Sequence, residues 1–253
     1  MYMPPPAGAE SEIGGPDGFS YGAVLLLTDA APSAQVEEAL AAMRFSGWIA
    51  PAEDGVTVIV GDPGDGVVAA GHRGIVEVGR ELAAATGARA LAARVRRDRQ
   101  LGLVAFSGAD EVARYDSDPS REPDADREVI SEPVGAEQAP AIAELFGREE
   151  AADRLEEILD DELDPDSTFE SERLRDVLRV LGLPEWVVGA AHLPKVVPTG
   201  PSVASLVRLR AGRRGALAAV TAWPVRRLRA RWNPAPILAE PPRGSSGDEW
   251  MFL

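Results

Sequence analysis

The stretch WIAPAEDGVTVIVG, residues 48–61, decides the fold. Two apolar runs, Trp48–Pro51 and Val56–Gly61, flank Ala52-Glu53-Asp54-Gly55, and Asp-Gly between such runs predicts a β-hairpin. Upstream, Tyr21–Thr28 (YGAVLLLT) is an apolar run of strand length. Between the two, Ser33 opens a helix through about Arg44, with Val36, Leu40 and Met43 as its apolar stripe. Downstream, a second helix is expected over about His72–Ala85, with Ile75, Val78 and Leu82 on one face and Gly87 as its stop. Ala88–Arg97 then reads as a strand. The resulting order, β-α-β-β-α-β, is the ferredoxin-like split βαβ pattern. Leu101–Ser107 and Glu111–Tyr115 extend it as a meander to about six strands.

The expected fold class is therefore α+β, in five parts. Residues 1–18, rich in Pro, Gly and acid, read as a disordered leader. Residues 19–118 form the sheet domain. Residues 119–138 are an acidic linker or surface loop. Residues 139–192 are an acidic helical segment: Ala139–Phe146, Arg148–Leu163, a helix opened by a capping box at Ser167-Thr168-Phe169-Glu170, and a short helix Glu185–Ala191 with Trp186 buried. A separate bundle and a layer on the sheet fit these helices equally well. Residues 193–253 are a basic arm containing Arg and Trp.

Charge is divided unevenly between these parts. Residues 1–186 hold 16 arginines against 38 carboxylates, while 187–239 contain no Asp or Glu, one lysine and eight arginines. Within the arm, Leu206–Arg210 alternates like a strand. From Pro224, Val225, Leu228 and Trp232 fall on one side of a short cationic helix. Arg213, Arg214, Trp223, Arg226, Arg227, Leu228, Arg229, Arg231 and Trp232 are the candidate partner-binding residues, because Arg and Trp enrich interfaces. The arm can meet its own acidic body, facing Glu149–Asp166. It can also meet another protein or a second copy, or an anionic membrane surface. Nucleic acid is disfavoured, since the acidic body repels a polyanion.

Reaction chemistry is weakly marked. The chain has no cysteine and two histidines. That excludes thiol catalysis, disulfides and cysteine metal sites. His72 lies in Gly71-His72-Arg73-Gly74 at a predicted helix start, where free N–H groups and Arg73 suit an anion. These four residues are the candidate ligand site, with the Gly61–Gly66 loop beside them. That loop lacks the Lys-Ser/Thr ending of a phosphate cradle and carries Asp62 and Asp65. His192 reads as a positive imidazole at a helix end. A calcium loop starting at Asp160 fails, with Pro165 and Ser171 where Gly and Glu are needed. No G-x-S-x-G, H-E-x-x-H or strand-borne G-x-G-x-x-G occurs, so no cofactor or metal is expected. Residues 1–6 carry no basic n-region and no apolar core. The expectation is a cytoplasmic interaction protein, adaptor, regulatory or immunity-type, leaning away from catalysis. An anionic-ligand sensor or enzyme at Gly61–Gly74 is one alternative, and peripheral membrane attachment through the arm is the other.

Overall fold

The computed structural model describes residues 19–28, 33–62, 64, 66–121, 132–161, 169–197 and 199–214. Among these, seven strands form one sheet: β1 Tyr21–Leu27, β2 Gly47–Ile49, β3 Val56–Gly61, β4 Arg89–Arg96, β5 Gln100–Ser107, β6 Asp110–Asp116 and β7 Val207–Leu209. Their order is β6-β5-β4-β1-β3-β2-β7, and every neighbouring pair is antiparallel. The α-helices are α1 Ser33–Ala42, α2 Ile75–Thr86, α3 Ala139–Leu145, α4 Ala152–Asp160 and α5 Glu170–Val180, followed by a 3-10 segment, Glu185–His192. The fold is thus α+β around an antiparallel sheet.

Both faces of the sheet are covered, and the apolar run of β1 shows why. Alternate residues of a strand point to opposite faces. Val24 and Leu26 pack with Val36 and Leu40 of α1 and Val78 and Leu82 of α2. Tyr21, Ala23 and Leu25 pack on the other face, in one core with Leu155 of α4, Leu174 and Leu178 of α5, and Trp186. A strand with apolar residues on both faces cannot leave either face to water. The helical segment is therefore a layer on the sheet, sharing its core, and not a free-standing bundle.

Several boundaries differ from the sequence reading, each for a local reason. The second helix begins at Ile75 and not at His72, because Gly71 and His72 have φ of 73° and 59°. The left-handed region does not propagate a right-handed helix. The helix expected over 148–163 is a 3-10 turn, Glu149–Ala151, leading into α4. The expected capping box does not open α5. Its N-cap is Phe169, which makes no side-chain cap, and residues 167 and 168 lie outside the described residues. In the 119–138 stretch, Pro119–Arg121 and Ala136–Gln138 are 3-10 turns, and Val134 bridges to Asp116 at the β6 edge. The alternating residues of the basic arm do form a strand, β7. It pairs with β2 and gives the sheet a seventh strand beyond the six expected. The leader, residues 1–18, lies outside the described residues.

One close approach holds the loop after β3. A Cβ on Gly64 would lie 2.1 Å from the Gly22 nitrogen, and one on Gly22 would lie 2.3 Å from the Gly64 oxygen. Only backbone fits between β1 and this loop.

Candidate functional site

The loop Gly71–Gly74 sits where the sequence placed it, before α2, but its polar groups are already engaged. Arg73 Nε donates to Glu81 Oε1 at 2.5 Å, and Arg73 Nη1 donates to the Ala70 carbonyl. The Gly74 N–H donates to Glu77 Oε2 at 2.9 Å. Glu77 thus takes the place at the helix N-terminus that an external anion would use, and its charge suits the dipole there. His72 is exposed on a left-handed backbone and is not brought onto these groups by any contact described. An anion at the Arg73 Nε or the Gly74 N–H would compete with a carboxylate of the same chain. Gly64, in the neighbouring loop, spends its backbone on packing against β1.

A second cluster, which sequence reasoning missed, lies at the first turn of α5. The turn between β4 and β5 puts Asp98 at φ 55°. Its carboxylate accepts from the Ser171 N–H at 2.7 Å, and its carbonyl accepts from the Glu170 N–H at 3.3 Å. Asp98 therefore caps α5 from another element, doing what the expected capping box was to do. Tyr21 Oη donates to Ser171 Oγ at 3.0 Å, tying β1 to the same turn. Glu170 and Arg173 are both buried and pair at 3.5 Å. Arg173 also donates to Leu159 O at 2.9 Å, to Tyr115 Oη and to Asp161 O. Tyr115 Oη in turn donates to Leu159 O at 2.9 Å.

Burial sets the protonation of this cluster. It pushes the Glu170 carboxyl above its ordinary range, with Arg173 pulling the other way. It raises Asp98 likewise, against the hydrogen bonds from Ser171. The Tyr21 and Tyr115 phenols are also raised by burial and stay neutral. Glu170, Ser171, Arg173 and Asp98 are each no more than 4% exposed, so a substrate reaches none of them while α5 is seated. The cluster is a polar lock between the helical layer and the sheet. The local signal for it was slight: an Asp in a short turn and an acid at a helix start.

The described part of the basic segment lies against the body. Arg208 pairs with Asp62 at 2.8 Å and lies over the Trp48 ring, 4.7 Å from its centroid. Arg214 pairs with Glu37 of α1, and Arg213 is exposed. The partners are Asp62 and Glu37, not the Glu149–Asp166 stretch expected from sequence. Trp223, Arg226, Arg227, Leu228, Arg229, Arg231 and Trp232 lie outside the described residues. His192 does close the 3-10 segment, and burial, then Lys195, hold its imidazole below the ordinary range. No helix of the described residues is long and apolar enough to cross a membrane. No protein-family model, no curated protein and no solved structure matches this chain.

Proposed function

We propose that this chain is a non-enzymatic protein-interaction protein of the cytoplasm, of an adaptor, regulatory or immunity type. Its acidic body meets a basic surface, and its basic C-terminal segment docks on a partner or on a second copy. The observation that carries this reading is the division of charge, 38 carboxylates before residue 187 and none from 187 to 239. Its geometry supports the same reading. Glu149, Glu150, Asp153, Glu156, Glu157 and Asp160 are all exposed on α4 and the turn before it. Fields of this kind steer association with oppositely charged partners.

The ferredoxin-like reading of the first four strands belongs to the proposal. It is supported by the order β4-β1-β3-β2, with α1 and α2 on one face. Such sheets host many functions, so the charged surfaces and not the fold carry the argument.

The test compares the full chain with one ending at Arg214, which keeps β7 in the sheet. Sedimentation velocity and affinity capture at matched salt read self-association and bound protein. The proposal expects the shortened chain to fold, by circular dichroism, and to lose a partner or its self-association. Unchanged mass and an unchanged set of captured proteins would defeat it. Loss of binding to anionic vesicles, with protein contacts intact, would move the function to a membrane surface.

A further inference from the structure

Glu170 stands in the first turn of α5 with 1% of its surface exposed. The charges packed around it are unequal. Asp98, from the turn between β4 and β5, is 3% exposed. Against these two buried carboxylates the described residues set one buried guanidinium, that of Arg173. Asp116, at the end of β6, adds negative charge beside Glu170, while near Asp98 Glu172 and Arg99 act with opposite signs. Gln100 of β5 gives its amide to Asp116, and the end of α4 presents carbonyls to Arg173. Tyr21 of β1 and Tyr115 of β6 complete the setting as neutral phenols.

Arg173 faces Glu170 without bonding to it. Its Nη1 donates to Leu159 O and Tyr115 Oη, and its Nη2 to Asp161 O. Its Nε lies 3.5 Å from Glu170 Oε2, and neither of these two atoms makes a hydrogen bond. The Ser117 hydroxyl serves the Glu170 carboxyl from the β6 side. Ser117 Oγ itself accepts from the Leu101 N–H at 2.9 Å. Oε2 is therefore buried without a donor. An ionised oxygen in that position is costly, and a proton on the carboxyl relieves it. If α5 lifts, water solvates the same group and its ordinary acidity returns.

We propose that the first turn of α5 is a proton-sensitive latch, in which Glu170, seated against Ser117 and Arg173, holds the helix to the sheet more firmly once protonated. The seated carboxyl is raised above its ordinary value, so the seated helix keeps a proton that a lifted one gives up. The gain is complete in the ordinary carboxylate range, about 4, and is lost as the pH rises through the raised value. Asp98 acts with the same sign. Leu174, Val177 and Leu178 of α5 lie in the core of the second sheet face, so the latch governs how often that face opens. This inference stands apart from the docking reading and does not need it.

Hydrogen exchange on the full chain reads the latch, as protection of the Leu174, Val177 and Leu178 amides corrected for the pH dependence of exchange itself. Asp98→Asn removes the second acid, so Glu170 alone separates it from Asp98→Asn/Glu170→Gln. From about pH 8 down to about pH 4, protection should rise at least about threefold more in the first than in the second. Equal slopes overturn the proposal. Carbon-13 NMR of the unsubstituted protein is the independent check, since it needs no variant to fold. The Glu170 carboxyl should titrate above the ordinary glutamate range, and titration within or below that range overturns the proposal.

Discussion

Arg173 is a guanidinium with almost no water around it, and it stands beside carboxylates whose own ionisation burial resists. Removing one member of a buried pair costs about 3–5 kcal/mol, because the other is left charged and unpaired. Arg173→Met is expected to lose stability on that scale at pH 7, measured by urea unfolding. The loss should shrink as the pH falls, since Glu170, already raised, escapes its unpaired charge by taking a proton. Asp98 gives a second prediction with a definite sign. Its folded pKa is raised, so on acidification the folded state takes up this proton before the unfolded chain does. Its ionised form costs stability above the raised value, and that cost disappears as the pH falls toward the ordinary carboxylate range, near 4. Asp98→Asn keeps an oxygen for the Ser171 N–H and removes the charge. It should be more stable than the parent at pH 7–8 and lose that advantage by about pH 4. Asp98→Ala loses the cap as well and should cost about 1 kcal/mol at the acid end.

At the level of elements, the contact between β1 and the loop after β3 is a backbone-to-backbone fit. Gly64→Ala would put a Cβ against the Gly22 nitrogen. Neither partner is a side chain that can swing away, so a loss of at least about 1–3 kcal/mol is expected, read as a lower melting temperature. The helices on the first face were legible because their stripes repeat at the helical period, Val36 with Leu40 and Ile75 with Val78 and Leu82. The hairpin at Asp54-Gly55 was legible because turn chemistry is local. Pairings between distant residues leave no such mark. The alternation around Arg208 was visible, but its partner Trp48 lies far away in sequence. The cap from Asp98 onto Ser171 spans 73 positions, and nothing near either residue announces it. The apolar run of β1 did contain the answer to layer or bundle, since a strand apolar on both faces needs cover on both. At the anion-site candidate, the groups that matter lie further along the chain in α2, where Glu81 pairs with Arg73 and Glu77 accepts from the Gly74 N–H.

For the molecule as a whole, the seating of β7 predicts how proteolysis proceeds. Arg208 and Arg214 are paired to the body, and β7 is part of the sheet. Trypsin should spare Arg208, and the core that accumulates should keep β7. Mass analysis showing early cleavage at Arg208 would contradict this seating. The shared core on the second face has a further consequence, in time and not in space. Leu25, Leu91, Leu101 and Leu103 are covered by helices that come later in the chain. Ribosomes add about 5–20 residues per second. A nascent chain that has finished β6 therefore waits about 4–15 seconds before the segment ending at His192 exists. Through that interval its strands carry a broad bare apolar sheet face in a crowded cell. A chain ending after β6 is therefore expected to bind a dye that reports exposed apolar surface more strongly than the full chain does.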